Sequence, residues 1–532
     1  MNIIALQSRQ AIRGNRGHNR VVDRSVPSSP RMIRVTALVT LLAATACNSK
    51  KSDEQAPVEP PDPKSESAPP PATGVQAPDP SKPATPVELA GVAPGKHEGK
   101  HVWSRKLGGF GSDAARGIAL GPDGNFVVTG YFSEQVDFGA GPVTALGDKD
   151  AFVAKIDGAG KTLWVKQIGG AGEDIGQAVA VDRDGNIVVT GTFTLTADFG
   201  SGKPFESAGR TDLFVARYSP DGDHLWSRRA GSPVEDRGYA VAVDSKNNVI
   251  VTGYFGEQAI NLGGENLGSA GQADIFVVKY AATSEHVWSW RIGGRSDDLG
   301  RAIAVDKDDN IVLAGDFNDD IELGGQDRVS SGNADVLLAK FTPEGRHLWS
   351  KTFGSSFHDF AVGLAIDGNG HLIITGGFEV EIDFGGETLE GKQNKKEVFL
   401  AKLTGAGEHL WSRSFGGRDD DVGSGLAVDA HNDVYMSGWF WREVDFGGGP
   451  LESAGQNDIV LAKYAPDGSF VWAKRFGDAG GDFGRSLAVD GEGAVVMVGT
   501  FRGNVSFGGD TLEFSGDKQR PHGDMFAAKF TP

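Results

Sequence analysis

The fold is decided by residues 224–280, which read HLWSRRAGSPVEDRGYAVAVDSKNNVIVTGYFGEQAINLGGENLGSAGQADIFVVKY. This stretch contains four short runs rich in β-branched and aromatic residues, at 224–231, 239–244, 248–255 and 274–280. Gly, Asp, Asn and Pro residues separate the runs. Such a pattern predicts four β-strands joined by turns.

The same unit occurs seven times along the chain. Its tryptophan recurs at spacings of 61 or 62 residues, at Trp103, Trp164, Trp226, Trp288, Trp349, Trp411 and Trp472. A sheet of four antiparallel strands is unstable alone, because both of its faces must stack on neighbouring sheets. Seven such sheets arranged radially predict an all-β protein, a seven-bladed β-propeller of four-stranded antiparallel blades.

The two ends of the repeat region predict how the ring closes. The last unit ends at residues 524–532 (DMFAAKFTP) without a tryptophan strand of its own, whereas the region begins with an unpaired strand, HVWSRKLGG, at 101–109. The N-terminal strand is therefore expected to complete the seventh blade and to hide two sheet edges. The propeller domain is predicted over residues 101–532.

The repeat units resemble a known family. The segments AVDRDGNIVVTG at 180–191 and DLFVARYSPDGDHLWS at 212–227 are similar to the bacterial SBBP (seven-bladed β-propeller) repeat. The resemblance covers residues 101–532. It implies the propeller fold and an extracytoplasmic setting, and it implies no particular activity.

The N-terminal region predicts export and a lipid anchor. Residues 32–47 (MIRVTALVTLLAATAC) have the features of a signal peptide. They end on Cys47, the single cysteine, in a segment that resembles a lipobox, where the cysteine becomes the lipidated N-terminus. A secretory signal with an incidental cysteine is the alternative. Residues 1–31 are predicted to be a mis-assigned start or a disordered extension, and the Pro-rich residues 48–100 a disordered tether.

These features predict a localisation. The lipobox and the following Asn48 resemble those of Gram-negative lipoproteins, which implies a lipid-anchored protein of the cell envelope, sorted to the outer membrane. Whether it faces the periplasm or the outside is left open. A monomer is expected.

The charge of the chain excludes some partners. The formal net charge is −19, and the first 46 residues carry seven Arg and one Asp, so the remaining chain has a net charge of −25. Such an acidic protein repels phosphates and anionic lipid surfaces. Nucleic acid is therefore excluded as a partner, and contact with the membrane is expected through the lipid anchor alone.

Two acidic residues recur in every unit and are expected on one face of the propeller. The first ring precedes the first strand of each blade and is the candidate ligand-binding set, namely Asp113, Asp174, Asp236, Asp298, Asp359, Asp421 and Asp482. The second ring begins the third strands, at Asp150, Asp212, Asp274, Asp335, Glu397, Asp458 and Asp524. Converging carboxylates favour a bound cation, a cationic ligand or raised pKa values. Alternatively, each Asp caps its own turn by accepting backbone N–H bonds.

The loops after the second strands differ between blades and are the other candidate site. The sixth carries Trp439 and Trp441 on either side of Phe440. Exposed aromatic rings stack on sugars or peptides, and these two residues are added to the candidate ligand-binding set. Packing between blades is the alternative fate of such residues.

The leading hypothesis is a binding or interaction scaffold for an envelope protein or a glycan. The alternative is an extracytoplasmic enzyme, a lyase or a hydrolase, that uses acidic residues at the channel mouth. No catalytic residue is assigned, because no nucleophile lies beside a recognisable base in the sequence. No cofactor is expected, and calcium is left open.

Overall fold

The structure is a computed structural model that describes residues 98–392, 395–516 and 522–532. The predicted start region, the signal peptide with Cys47 and the tether up to residue 97 lie outside the described residues. The described residues form β-strands and connecting turns, without a helix. None of them forms a helix with the length and apolar character that a membrane span requires.

Seven antiparallel sheets form the blades of a β-propeller, which confirms the predicted fold class. The four strands of blade 1 span Ala114–Leu120, Phe126–Phe132, Asp150–Ile156 and Thr162–Gly170. Those of blade 2 span Ile175–Val181, Ile187–Phe193, Asp212–Tyr218 and His224–Ala230. Those of blade 3 span Asp236–Val243, Val249–Phe255, Asp274–Tyr280 and His286–Ile292. Those of blades 4 and 5 span Leu299–Val305, Ile311–Phe317, Asp335–Phe341 and His347–Phe353; and Phe360–Ile366, Leu372–Phe378, Glu397–Leu403 and His409–Phe415. Those of blades 6 and 7 span Val422–Val428, Val434–Asp445, Pro450–Tyr464 and Phe470–Phe476; and Phe483–Val489, Val495–Phe501, Asp524–Phe530 and His101–Lys106.

The connections between strands divide into two faces. Short hairpins extend the link between the second and third strands in blades 1 to 5, pairing Gln135–Asp137 with Pro142–Thr144, Thr196–Asp198 with Phe205–Glu206, Ile260–Asn261 with Asn266–Leu267, Asp320–Leu323 with Gln326–Val329, and Glu381–Ile382 with Leu389–Glu390. In blade 6 the long second and third strands continue into this hairpin. We call this side, which also carries the links between blades, the hairpin face. The opposite side, with its tight turns such as residues 182–186, is the turn face.

Burial of apolar side chains between blades holds the ring together. Seven clusters of buried residues lie one at each junction between neighbouring blades. Between blades 3 and 4, for example, Val277, Ile303 and Leu313 pack together. The first strand of each blade contacts those of both neighbouring blades, and blade 7 returns to blade 1. The ring is therefore closed, with the first strands around its central channel.

The N-terminal strand completes blade 7, as predicted. Residues His101–Lys106 run antiparallel to Asp524–Phe530, with Ser104 opposite Ala528. Trp103 is buried, and its Nε1 donates a hydrogen bond to the carbonyl of Gly158 in blade 1 at 2.9 Å. Residues from the two ends of the propeller thus share one sheet, and this sheet packs on both neighbouring blades.

A recurring set of polar contacts links neighbouring blades on the turn face. In blade 3, Lys279 Nζ lies 2.8 Å from Asp244 Oδ2 of its own blade and donates to the carbonyl of Pro343 in blade 4 at 3.0 Å. Trp288 Nε1 donates to the same carbonyl at 3.2 Å. Because both charged side chains are buried, removing one of them would leave the other without an opposite charge, at a cost of about 3–5 kcal/mol.

We expect removal of residues 101–109 to destabilise the whole propeller, because it exposes the edge of blade 7 and opens two inter-blade cores. The single change Trp103→Ala should lower the free energy of unfolding by about 3–5 kcal/mol. Urea unfolding and the state of aggregation of each variant measure the effect, with a chain that begins at residue 98 as the control. A soluble deletion variant with the melting temperature of the control would contradict closure by this strand.

Candidate functional site

The first acidic ring begins the first strands at the hairpin face, and its carboxyl groups are buried. In blade 4, Asp298 Oδ2 accepts the backbone N–H of Gly294 at 2.8 Å, and its Oδ1 accepts that of Asn318 at 3.1 Å. Gly294 follows the last strand of blade 3, whereas Asn318 follows the second strand of blade 4. The carboxylate therefore ties its own blade to the preceding one.

The second acidic ring meets the first at each blade junction. Asp274 of blade 3 accepts the backbone N–H of Ala270 at 2.8 Å and a bond from Arg291 at 3.3 Å. A Cβ on Gly293 would lie 2.0 Å from Asp274 Oδ1 and 2.9 Å from Asp298 Oδ2, so this glycine makes room for two adjacent carboxyl groups. An equivalent glycine lies against the second-ring acid at every junction, at Gly108, Gly169, Gly231, Gly293, Gly354, Gly416 and Gly477.

Glu397 shows why a longer acid serves in blade 5. In blades 1 to 4 and 6 the second-ring Asp accepts the backbone N–H of the residue four positions earlier. Glu397 instead accepts that of Lys392, five positions earlier. The additional methylene compensates for the longer turn, so the substitution preserves the capping bond.

Burial raises the pKa of every first-ring Asp. The pKa reaches about 8 for Asp174, about 7 for Asp113, Asp298, Asp359 and Asp421, and about 6 for Asp236 and Asp482. The neighbouring second-ring carboxylate adds to the rise, while the backbone N–H bonds oppose it. These groups therefore exchange protons near neutral pH.

The contacts of the first ring favour the turn-capping interpretation over a ligand-binding one. Six of its seven carboxyl groups accept backbone N–H bonds from two blades, whereas Asp174 accepts one from Gly170 and its Oδ1 has no partner among the described residues; all seven are buried at a blade junction. Within residues 98–392, 395–516 and 522–532, no group of three or more His, Cys, Asp or Glu side chains is placed to hold a metal ion. Ligand binding by this ring, a calcium site and an enzymatic role remain predictions.

The structure separates the two candidate tryptophans. Trp439 is partly buried and packs edge-on against Phe483 of blade 7, with ring centroids 5.8 Å apart. Trp441 is 38% exposed on the hairpin face, and the guanidinium of Arg442 lies 5.8 Å from its ring centroid. Phe440 between them is fully buried. Trp441 is thus accessible to a partner, whereas Trp439 belongs to the wall near the channel.

A second set of variable residues was not predicted from the sequence. The first strand of every blade contains a β-bulge, and the bulged residue lies three positions after the first-ring Asp. A bulge redirects a side chain, and bulges are frequent next to functional sites. The seven partly exposed or exposed side chains are those of Arg116, Gln177, Tyr239, Arg301, Val362, Ser424 and Arg485. We call the hairpin-face end of the channel, where they lie, the channel mouth. In the sequence, these residues could have been found as a position that varies between blades within an otherwise regular first strand.

On the side of blades 3 and 4, the arginines of the channel mouth have acidic partners. Arg301 binds the carboxylate of buried Asp316 through Nε and through an N–H group at 3.2 Å. Arg237 lies 3.3 Å from Glu235. Both arginines are therefore paired with a carboxylate of the protein.

On the side of blades 7 and 1, arginines surround aromatic rings. The guanidinium carbons of Arg485 and Arg502 lie 5.2 and 5.7 Å from the centroid of Phe483. That of Arg116 lies 5.3 Å from the centroid of Tyr131. Guanidinium groups stack favourably on such rings.

Fold and site together define a seven-bladed β-propeller with a regular frame and a variable channel mouth. Residues 163–192, from the last strand of blade 1 to the second strand of blade 2, match the family described as the SBBP β-propeller repeat. The other blades share the strand order of this matched segment. The protein is thus a seven-bladed β-propeller in which residues 163–192 match the SBBP repeat.

Curated proteins with similar sequences are longer than this chain. An uncharacterized WD repeat-containing protein of Acanthamoeba polyphaga mimivirus is 24% identical over 501 residues, which cover 75% of this chain and 36% of that protein. Regulatory protein FlaEY of Caulobacter vibrioides is 25% identical over 473 residues, which cover 81% of this chain and 47% of that protein. The chain therefore spans less than half the length of either relative.

Among solved structures, the Neurospora crassa Pan2 WD40 domain aligns with a TM-score of 0.40 and 10% sequence identity. The alignment covers 81% of this chain and 95% of that domain.

The raised pKa values of the first ring predict a stability that decreases with pH. Between about pH 4 and 8 the folded protein holds protons that the unfolded chain has lost, so the free energy of unfolding should fall as the pH rises through 6–8. Urea unfolding at pH 5, 6, 7 and 8 measures this decrease. Asp298→Asn should make it smaller, whereas the exposed control Asp308→Asn should not. A free energy of unfolding that rises from pH 5 to 8 would contradict the prediction.

Proposed function

We propose that this protein is a binding scaffold of the cell envelope, which presents the hairpin face and the channel mouth of its propeller to an envelope protein or a glycan. The contrast between a repeated frame and a varied mouth carries the proposal. Residues that serve the fold recur in every blade, as the first-ring Asp does. The seven bulged residues occupy equivalent positions and differ in size and charge, as expected where each contributes to one composite surface.

A second observation supports the hairpin face as the contact surface. Trp441 is exposed there, beside a cleft of about 520 Å³ whose lining includes Lys392, Arg418 and Arg442. Tryptophan and arginine are enriched among the residues that dominate binding energies at interfaces. Glu443 and Asp445 also line the cleft, so an aromatic side chain next to it suits a partner with a flat apolar surface and polar groups of both charges.

The names of the relatives are consistent with a binding role. One is called a regulatory protein and the other a WD repeat-containing protein. Since the chain spans less than half of each, the activity of neither protein is transferred to it. The proposal therefore depends on the surface of this chain.

The proposed location follows from the N-terminal sequence. The lipobox-like residues 44–47 support a lipid attached to Cys47, and Asn48 supports sorting to an outer membrane. The Pro-rich residues that follow would separate the propeller from the membrane surface, because Pro-rich segments are extended and stiff.

We expect Trp441→Ala to abolish capture of the partner from detergent-solubilised envelopes, because it removes the exposed ring from the contact surface. Trp290→Ala is the matched control, since Trp290 is also exposed, at 48%, but lies on an outer strand of blade 3. Affinity capture followed by mass spectrometry measures the difference, and melting temperatures verify folding. Capture that is equal for both variants, or that recovers nothing with the wild type, would contradict the proposal.

We expect Cys47→Ser to release the protein from membranes, because the thiol is the attachment point of the proposed lipid. Partition of cell extracts between a detergent phase and water measures the change. The wild type should enter the detergent phase and the variant the aqueous phase. A wild type found in the aqueous phase would exclude the anchor and leave the binding surface untouched.

A further inference from the structure

Three guanidinium groups lie on one side of the channel mouth, and none of them is hydrogen-bonded or ion-paired to a carboxylate of the residues that the structure describes. Arg485 and Arg502 lie against the same Phe483 ring, and Arg116 belongs to the adjacent blade 1. Among the residues that the structure describes, neither Arg485 nor Arg502 uses its guanidinium in a hydrogen bond or an ion pair with the protein. Arg116 binds the amide oxygen of Gln177 at 3.0 Å, and its buried Nε has no partner.

The charges on this side repel each other. The side chain of Arg485 is exposed to solvent, but most of the groups around its guanidinium belong to the protein. The partial loss of solvation, together with Arg116 and Arg502, lowers the pKa of Arg485 to about 10. Converging cations without acidic partners cost stability, and such costs are typical of functional sites.

The opposite side of the mouth shows that the fold itself does not need this arrangement. There, Arg301 occupies the same bulge position as Arg485 and is neutralised by Asp316. The bulges of blades 5 and 6 carry the uncharged Val362 and Ser424. A bulge therefore forms with or without a guanidinium, so the fold gives no reason for the uncompensated arginines.

We propose that the channel mouth between blades 7 and 1 binds a small oxyanion, a phosphate, sulfate or carboxylate group, held by the guanidinium groups of Arg485, Arg116 and Arg502. This assignment rests on the proposed function and names the chemistry of its ligand. Guanidinium groups bind such anions through paired, charge-assisted hydrogen bonds. The rings of Phe483 and Tyr131 beside them offer an apolar surface to the group that carries the anion.

The charge of the whole protein limits the size of this ligand. An extended polyanion would be repelled by the chain as a whole, since its net charge is −19. A single oxyanion, carried by a small molecule or by the end of a chain that enters the channel, meets the local positive charge and is repelled less by the net negative charge of the protein. The site is therefore distinct from a nucleic-acid interface, which requires an extended basic surface.

Isothermal titration of the purified protein with inorganic phosphate, sulfate or acetate, at constant ionic strength set by chloride, tests the assignment. At least one of these probes should bind, and the preference between tetrahedral and planar anions identifies the source of the group. Arg485→Gln should weaken binding by about tenfold or more, as the loss of a charge-assisted hydrogen bond predicts. Arg485→Lys should retain part of the affinity. Arg346→Gln, the same change of charge on the turn face, is the matched control and should bind as the wild type does.

Stability measurements separate a binding role from a structural one. Arg485→Gln should leave the melting temperature unchanged or raise it, because it relieves repulsion. Arg301→Gln should lower it, because buried Asp316 loses its partner.

The assignment is overturned if none of the three anions binds at concentrations up to about 10 mM, at which a site with a Kd of about 1 mM would be mostly occupied. It is also overturned if both Gln variants at positions 485 and 346 weaken binding equally, or if Arg485→Gln melts at a lower temperature. Loss of the anion site would leave capture through Trp441 intact, so the two proposals fail separately.

Discussion

Each sheet of this propeller has an apolar surface on both faces, and neither face can be covered by the sheet itself. Neighbouring blades supply the cover, and the seven buried clusters between them are the main source of cohesion. A row of sheets has two uncovered ends, and closing the row into a ring removes them. The strand His101–Lys106 completes this closure. It precedes the other strands in the sequence, yet it pairs with the last strand of the chain and so belongs to the last blade. Stability is therefore a property of the complete ring.

The polar residues that recur in every blade serve the same closure. On the turn face, Lys279 and Trp288 of blade 3 bind the carbonyl of Pro343 in blade 4, and the equivalent basic residue and tryptophan bind one carbonyl in blades 2, 5 and 7 as well. On the hairpin face, a carboxyl group such as that of Asp298 accepts N–H groups from two blades. Burying these carboxyl groups in pairs raises their pKa values, so the hydrogen bonds that align the blades also make the ring sensitive to pH.

The repeats differ at positions that the regular frame leaves free to vary. The bulges keep the same place in all seven first strands, and their side chains range from Val362 to Arg485. The arginines divide into two groups, since Arg301 is held by Asp316 whereas Arg485 has no acidic partner among the described residues. A regular frame with an irregular mouth lets one side chain change without disturbing the blades. The proposed binding surface rests on this separation.

The sequence by itself determined the number of blades, the four strands in each and the strand that closes the ring, because apolar periodicity and turn residues are local signals repeated seven times. It also placed both acidic rings on one face, but only the tertiary structure decided that these carboxyl groups are buried and that Asp298, like most of its equivalents, accepts N–H groups of two blades. The bulges, the separation of Trp439 from Trp441 and the meeting of Arg485, Arg502 and Arg116 likewise emerged from the structure. The physical reason is distance along the chain, because each feature needs a partner from another strand or blade. Trp439 packs on Phe483 of the next blade, and Arg116 meets Arg485 only when the ring brings its first blade against its last.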